Sequence, residues 1–253
     1  MDLAKILDVN LNLTFSSITL ALACLMTGYL TALAITPPNP NPENTDVDDR
    51  YRHILTPQTI ARRKLFYTVL SVYHAVLVLT QPGHGHGHGP DSPSLPLVCP
   101  FPSNLNHSLL LTWSPYMLVG LGLVCFIGVP LRLAAYRALG RNFTFTLQKP
   151  SELNTTGLYR WMQHPSYTGT ALVRGGCMCI FLRWDGVLGC WIPPAVRAWL
   201  DGWGWAMYVF MGVVVMRAVR GRVSDEEKML KEKFEDTWVE WHRSTKRFVP
   251  GLF

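Results

Sequence analysis

A long apolar run near the start of the chain most constrains its fold. Residues 15–35, FSSITLALACLMTGYLTALAI, contain no charged side chain. About 20 such residues are needed for a helix to cross the hydrocarbon core of a bilayer. In lipid, a single spanning segment has to satisfy its own backbone hydrogen bonds, which only a helix does. The run is too long for the apolar core of a cleaved signal, so we interpret it as a retained span.

Four further apolar segments follow along the chain. Hydrophobic residues make up 49% of the chain and charged residues only 16%, a composition typical of multi-spanning membrane proteins. We therefore predict an all-α fold, a multi-spanning transmembrane helix bundle with about five spans. A tight hairpin at residues 186–196 is expected to join the last two. The later spans are predicted at residues 65–80, 109–129 (ending at Pro130), 167–182 and 200–216.

Loop charges predict the orientation of these spans. Residues 82–108 contain no lysine or arginine, whereas residues 36–64, 130–160 and 217–253 each contain several. Positively charged loops stay on the cytosolic side of a membrane. We therefore place those three basic segments in the cytosol and residues 82–108 in the lumen.

The sequence predicts no metal site. The six cysteines lie mostly in apolar runs and lack the spacing of zinc ligands or of a secreted disulfide framework, so we expect buried thiols. The repeat GHGHGHG (83–89) is interpreted as low-complexity filler, because alternating glycine preorganises no ligand geometry. The net charge of +6 does not indicate nucleic-acid binding, since the basic residues flank apolar segments.

The tail, residues 222–253, carries a helical pattern. Ser224 followed by Glu227 fits the capping box S-x-x-E, which predicts that a helix begins there. At its start a cluster of arginines meets a pair of glutamates, a pairing that topology does not require. We expect a cytosolic amphipathic helix that packs along the membrane surface or against the bundle and ends before Pro250. Its apolar face is predicted from Leu230, Phe234, Trp238 and Trp241, which recur at helical spacing.

The stretch LYRWMQHPSYTG (158–169) comes just before the fourth predicted span. Proline lacks a backbone donor and restricts the residue before it, so His164-Pro165 indicates a break where side chains can be aimed into a site. The aromatic residues fit a belt at the membrane interface equally well. The stretch alone does not decide between these two interpretations.

Together, the stretch and the tail resemble the isoprenylcysteine carboxyl methyltransferase family over roughly residues 140–250. The family's first motif, G-x-Y and then R-H-P-x-Y-x-G, is matched by Gly157, Tyr159, His164, Pro165, Tyr167 and Gly169. Its second motif, an E-E pair followed by spaced apolar residues and R-x-x-P, is matched by Glu226, Glu227, Leu230, Phe234, Trp238, Trp241, Arg247 and Pro250. The chain differs from the pattern in having Gln163 before His-Pro and Arg174 inside a span, and in lacking the family's asparagine-proline in the hairpin.

The resemblance implies an endoplasmic reticulum membrane protein whose last helices and tail form a cytosolic pocket for S-adenosylmethionine. It also implies two regions: N-terminal transmembrane helices and loops over residues 1–139, and a methyltransferase core over residues 140–253. Arg222 corresponds to the family's substrate-side arginine, which we expect to orient the acceptor carboxylate. The predicted cofactor-binding residues are Gln148, Ser151, Glu152, Leu153, Asn154, Tyr159, His164, Pro165, Ser166, Tyr167 and Glu226.

The chemistry of such a reaction agrees with these residue types. A sulfonium cation is attracted to a tyrosine face, the donor's amino group suits Glu226, and its carboxylate suits His164. The acceptor carboxylate is already ionised at neutral pH, so no general base is needed, and alignment and exclusion of water would provide the catalysis. The expected partners are the carboxyl termini of prenylated proteins, whose lipid chains would stay in the bilayer, and not nucleic acid.

Three alternatives stay open from the sequence. The same donor chemistry would serve another lipophilic acceptor, for example a terpenoid acid or a phospholipid amine. A membrane sterol reductase has a similar aromatic ending, but it would need several basic groups around the 2′-phosphate of its nicotinamide cofactor. A non-catalytic membrane adaptor would keep the fold and lose donor binding.

Overall fold

The computed structural model describes residues 13–41, 49–80 and 98–250, and these residues are helical with no β-strand. The GHGHGHG repeat lies outside the described residues. The α-helices are α1 (Phe15–Ala34), α2 (Pro57–Thr80), α3 (His107–Leu110), α4 (Pro115–Gly122), α5 (Val129–Leu139), α6 (Pro165–Phe181) and α7 (Pro194–Ser244). Short 3₁₀ turns occur at Arg52–Ile54, Pro102–Asn104, Gly140–Asn142, Gly157–Arg160 and Val187–Trp191. The predicted all-α fold is therefore confirmed for this part of the chain.

Within the described residues, three helical segments are long and apolar enough to cross a membrane. They are α1, the segment Pro115–Asn142 that contains α4 and α5, and α7. The other two predicted spans fall in α2 and in α6, and α6 has only 17 residues. The structure thus supports a multi-pass membrane protein, and the count of five spans stays a prediction.

Helix α2 begins well before the apolar run that predicts it. Thr56 caps its first turn, because the Oγ1 atom of Thr56 accepts a hydrogen bond from the Thr59 amide at 3.2 Å. Pro57 occupies the first helical position, where its fixed φ and missing N–H are tolerated. Helix α2 is therefore longer than the predicted span by residues 57–64, about two turns, which include the basic residues 62–64.

Pro130 does not end the third span, and this prediction was wrong. The helix instead passes through a π-helical segment, Leu123–Gly128, and continues as α5 to Leu139. A proline ring clashes with the carbonyl one turn earlier, and a wider π turn removes that clash without stopping the helix. Gly140, at φ 52°, ends α5 in a conformation that favours glycine.

The tail helix does not begin at Ser224, so the capping-box prediction was also wrong. Ser224 lies inside α7, which runs from Pro194 to Ser244 and is interrupted only by non-helical backbone at Glu235 (φ 44°). The pattern S-x-x-E marks a start only when the preceding residues are not helical, and here the last predicted span continues straight into the tail. The amphipathic segment and the predicted span 200–216 therefore share one helix.

Contacts divide the chain into two compact units. The first comprises Met1–Leu30, Phe66–Cys125 and Arg174–Tyr208, and the second comprises Thr31–Leu65, Phe126–Val173 and Val209–Phe253. This division follows packing and does not test the predicted functional regions 1–139 and 140–253, which stay a proposal.

The first unit contains a disulfide between Cys99 and Cys190. Nearby, the Nδ2 atom of Asn104 donates to the carbonyls of Gly189 (3.0 Å) and Ile192 (2.8 Å), which ties the two connections together. The expectation of buried thiols was therefore wrong for this pair. The four other cysteines are thiols: Cys24 and Cys177 are buried as expected, Cys125 is half-buried, and Cys179 is exposed, against the expectation. Sequence spacing does not reveal such a pair, because only the fold brings these two connections into contact.

The second unit has an aromatic and apolar core. Leu147, Tyr159 and Leu230 are buried there together with Trp238 and Trp241. The indole N–H of Trp241 donates to the carbonyl of Tyr159 at 3.0 Å. Three of the four residues predicted to form the apolar face of the tail are thus buried, and Phe234 packs against the cluster.

Candidate functional site

The stretch 157–165 is a turn that leads into helix α6. Gly157 has φ 57°, a left-handed conformation that favours glycine, and it opens the 3₁₀ turn that buries Tyr159. Pro165 is the first residue of α6. The carbonyl of His164 accepts hydrogen bonds from the amides of Tyr167 (3.1 Å) and Thr168 (3.2 Å). His164 is thereby fixed at the helix N-terminus, at the break that His-Pro predicts.

The end of the chain pairs with this turn through its backbone. The amide of Gln163 donates to the carbonyl of Lys246 at 2.8 Å, and the amide of His164 donates to that of Arg247 at 2.9 Å. Met162 and Lys246 form an isolated parallel bridge. The structure therefore brings the two sequence motifs together within the second unit.

Gln163, where the family pattern has arginine, helps to hold this junction. Its Nε2 atom donates to the carbonyls of Thr245 (2.6 Å) and His242 (3.2 Å). Its Oε1 atom lies 2.9 Å from the Nδ1 atom of His242. The amide satisfies carbonyl groups at the end of α7, which would otherwise lack partners, so this departure has a structural role.

Two adjacent glutamates contact the same histidine. The Nε2 atom of His164 lies 3.2 Å from Glu227 Oε1, and its Nδ1 atom lies 3.8 Å from Glu226 Oε1. Tyr167 donates its hydroxyl to Glu226 Oε2 at 2.7 Å. Arg247 pairs with both carboxylate oxygens of Glu227, each at 2.8 Å. Glu227 is therefore committed to protein partners, whereas Glu226 has 27% of its side chain exposed.

Glu227, which lies beyond the predicted span 200–216, is ionised at neutral pH. Burial raises the pKa of its carboxyl group, but hydrogen bonds from His164 and Arg247 outweigh that effect and lower the pKa to about 2. The charge holds His164 from its Nε2 side. Sequence reasoning placed Glu227 in the family motif but did not give it a role in the site.

The Nδ1 atom of His164 is a buried polar atom without a hydrogen-bond partner among the described residues. Only 2% of the side chain is exposed, and an unpaired polar group at such depth is costly. The atom faces Glu226. Tyr159 also lies near this carboxylate: burial is the main cause that raises the pKa of the Tyr159 hydroxyl, and the negative charge of Glu226 raises it further. His164, Glu226 and Tyr159 are thus neighbours, and their contact with a ligand stays a prediction.

The predicted backbone segment Ser151–Asn154 is fixed beside the turn that follows α5. The amide and the Oγ atom of Ser151 each donate to Asn142 Oδ1 at 3.1 Å, and Asn154 Nδ2 donates to the carbonyl of Ala138 at 2.8 Å. Leu153 packs against the core of the second unit. These contacts give the segment a defined position, and its contact with a ligand stays a prediction.

Four other predicted residues differ in their surroundings. Glu152 and Gln148 are exposed, and their contact with a ligand stays a prediction. Ser166 Oγ and the Ser166 carbonyl accept hydrogen bonds from Arg132 Nη1 at 3.0 and 3.1 Å. The side chain of Ser166 is therefore occupied by a protein partner, and Pro165 acts through the backbone as the first residue of α6.

Arg222 is buried and already paired. Its Nη1 atom lies 2.5 Å from Asp49 Oδ1, and its Nη2 atom donates to the carbonyl of Phe145. It also interacts with Tyr167, which connects it to Glu226. Asp49 is a residue that sequence reasoning missed, and no local signal distinguishes it from the neighbouring aspartates in TDVDDR.

Comparisons with known proteins point to one class of enzyme. A family model described as "Phospholipid methyltransferase" matches residues 116–200, which include His164 and Tyr167. The protein-S-isoprenylcysteine O-methyltransferase of Dictyostelium discoideum is 25% identical over 136 residues. That match covers 52% of this chain and 48% of the relative, so the chain spans about half the length of the curated relative it matches. No solved structure matches the chain.

Proposed function

We propose that this membrane methyltransferase acts on the carboxylate of a prenylated cysteine. The proposal rests on the resemblance to the isoprenylcysteine carboxyl methyltransferases, which these comparisons bear out. The methyl donor in this proposal is S-adenosylmethionine. The observation that carries it is the meeting of His164 and Glu226, with the buried Nδ1 atom of His164 left without a partner. Neither comparison names a sterol reductase, and donor binding by the purified protein separates an enzyme from the non-catalytic adaptor.

The residues present fit the amino-acid end of such a donor. Glu226 is a partly exposed carboxylate that suits an ammonium group. His164 Nε2 lies against the ionised Glu227 carboxylate and carries a proton there, so the Nδ1 atom of a neutral ring is a buried acceptor that suits an ammonium or amide N–H. The ring of Tyr159 is buried near them. An aromatic ring attracts a cation more strongly when the site is shielded from water. When bound, the donor would supply an electrophilic methyl group. The chain itself would bind and orient both reactants and exclude water.

The acceptor side of the proposal depends on Arg222. A free carboxylate is ionised at neutral pH, so the acceptor needs orientation but no base. Arg222 is buried, its Nη1 atom pairs with Asp49 Oδ1 at 2.5 Å, and its Nη2 atom donates to the carbonyl of Phe145. A guanidinium carries five N–H donors, so N–H groups beyond these two contacts can take a further acceptor. A prenyl chain that stays in the bilayer would deliver its carboxylate to this position, since exposing the chain to water costs about 0.8 kcal/mol per methylene.

The five-span topology and the cytosolic site belong to the same proposal, with the endoplasmic reticulum as the proposed membrane. The Cys99–Cys190 disulfide supports them. Cys99 lies in the segment 82–108 that the loop charges assign to the lumen, five spans would put the hairpin that contains Cys190 on the same side, and disulfides persist in that oxidising compartment. Residues 130–160 would face the cytosol, so Asn142 and Asn154 should carry no sugar. Glycosylation of either asparagine would contradict the topology.

A phospholipid acceptor is the second candidate, and the description of the matching family model favours it. An amine acceptor, unlike a carboxylate, would be repelled by the Arg222 guanidinium and would have to lose a proton before attack. The Asp49 carboxylate beside Arg222 reduces that repulsion without removing it. The buried arginine therefore favours an anionic acceptor.

The test is methyl transfer by the purified full-length protein with labelled donor. We expect activity with N-acetyl-S-farnesylcysteine and none with phosphatidylethanolamine vesicles. Glu226→Gln should raise the donor KM at least about tenfold, which corresponds to about 1.4 kcal/mol, because it removes the charge that faces the donor's ammonium group. Glu232→Gln is the matched control, since Glu232 is exposed on the same helix and only forms a 4.0 Å pair with Lys228. Methylation of the vesicles alone would replace the first proposal by the second.

A further inference from the structure

Asp49 is a buried carboxylate that the reaction outlined above does not use. Only 1% of its side chain is exposed. Its Oδ2 atom accepts a hydrogen bond from the Leu147 amide at 2.8 Å, and its Oδ1 atom accepts one from the Tyr51 amide at 3.0 Å. Two backbone donors therefore fix the orientation of the carboxylate, so it cannot turn toward a ligand in place of its present partners.

The carboxylate and the guanidinium of Arg222 are held by the same short segment. Phe145 accepts a hydrogen bond from Arg222 through its carbonyl, and Leu147 donates one to Asp49 through its amide. The two charged atoms are 2.5 Å apart. Burial raises the pKa of Asp49, but its contacts with Arg222 and with the two amides outweigh this and keep the pKa below its ordinary range. Asp49 is thus the fixed counter-ion of Arg222.

A counter-ion at this place has a consequence for an acceptor carboxylate. A buried arginine without a partner would bind an incoming carboxylate strongly, because the attraction is weakly screened in a poorly solvated site. A tightly paired carboxylate is a poorer nucleophile than a loosely held one. With Asp49 in place, the charge of Arg222 is shared, and the attraction that remains is enough for orientation.

We propose that Asp49 is a positioning residue for Arg222, and that it limits the attraction of Arg222 for the acceptor carboxylate so that the acceptor is oriented but stays nucleophilic. The inference rests on the proposed methyl transfer to a carboxylate. Asp49 acts only through Arg222 and touches neither reactant. The segment before α2 therefore contributes to the site, although its sequence lies outside the two family motifs.

The first test separates acceptor binding from turnover. Asp49→Asn keeps the shape of the side chain and removes its charge. In the full-length protein we expect the KM for N-acetyl-S-farnesylcysteine to fall about threefold to tenfold and kcat to fall about tenfold, while the donor affinity measured by calorimetry stays unchanged. A merely structural role would instead raise the acceptor KM or weaken donor binding. Glu232→Gln, again the control, should change none of these quantities.

The second test asks whether Asp49 acts through Arg222. Asp49→Asn combined with Arg222→Gln should show the kinetic constants of Arg222→Gln alone, because the counter-ion has no role once its partner is gone. Multiplicative losses in the double variant would overturn the inference. Formate is the probe for a variant that folds poorly: it should raise the melting temperature and kcat of Asp49→Ala and leave the parent protein unchanged. No rescue by formate, in a variant that binds donor normally, would also overturn it.

The results distinguish this inference from the proposed function. A parent protein that methylates no prenylcysteine overturns the proposed function and this inference with it. An active parent whose Asp49→Asn variant keeps its acceptor KM and kcat overturns the inference alone. An active parent with a lower acceptor KM and a lower kcat in that variant supports both.

Discussion

Neutralising Glu227 should destabilise the second unit in a pH-dependent way. In Glu227→Gln the side chain keeps its size but loses the charge that pairs with Arg247 and His164. The native pKa is about 2, against an ordinary value of 4.5, a difference that corresponds to roughly 3 kcal/mol of differential interaction. Arg247 has 51% of its side chain exposed, so solvent screening reduces the net effect to about 1–2 kcal/mol.

The sign of the pH dependence follows from the direction of that shift. The folded pKa of Glu227 is depressed, so its contribution to stability is fully present above the unfolded pKa, near 4.5, and is lost as the pH falls through the folded pKa, near 2. At pH 7 the variant should therefore be less stable than the parent protein. The difference should shrink as the pH falls below about 4.5 and approach zero only below about pH 2.

The assay is thermal unfolding of detergent-solubilised parent and variant across this pH range, with Glu232→Gln as the control. The control should match the parent at every pH, because an exposed pair 4.0 Å apart contributes almost nothing. A Glu227→Gln variant that is as stable as the parent at pH 7 would refute the reasoning. So would a loss of stability that has the same size at pH 3 and pH 7.

Two further predictions concern packing. A Cβ atom at Gly169 would lie 2.9 Å from the backbone of Arg132, whereas one at Gly175 on the same helix would meet nothing within 4 Å. Gly169→Ala should therefore lower the melting temperature, and Gly175→Ala should keep or raise it. Cys190→Ser, or reduction of the Cys99–Cys190 disulfide, should lower the free energy of unfolding by about 2–4 kcal/mol in an equilibrium unfolding assay. If reduction left the gel mobility of the unfolded parent protein unchanged, the pairing would be contradicted.

Much of the fold could be predicted from composition and periodicity, because backbone polar groups in lipid must find their hydrogen-bond partners within the protein. An uncharged run of about 20 residues has to be a helix in a bilayer, and α1, Phe15–Ala34, follows the predicted run closely. The outcome at Pro130 could not be read in the same way. A proline either stops a helix or is absorbed by a wider turn, and the packing around it decides which.

The candidate site could be predicted from the sequence where its residues are close together in the chain. His164, Pro165 and Tyr167 stand in one motif, and Glu226 and Glu227 in another, so the resemblance could suggest that the two motifs meet. The roles of the individual residues within the site could not be predicted. Adjacent glutamates look equivalent in sequence, yet only the fold shows that Arg247 pairs with Glu227 and not with Glu226.

Asp49 shows the limit of this kind of reasoning most clearly. Its partners, Arg222 and the Leu147 amide, are distant in the sequence. An aspartate in a polar, proline-rich loop ordinarily indicates a solvated surface. Only the packing of that loop within the second unit reveals a buried ion pair. The same holds for Cys99 and Cys190, which become partners only when two distant connections meet.

The central claim is that one small ligand contacts both His164 and Glu226, and calorimetric titration with S-adenosylmethionine tests it most directly. The parent protein and Glu232→Gln should bind the donor with equal affinity. His164→Ala and Glu226→Gln should each weaken binding at least about tenfold, and the double variant should lose less than the sum of the two free-energy changes, because the side chains are neighbours. Unchanged donor affinity in both single variants, or no binding by the parent protein, would contradict the account.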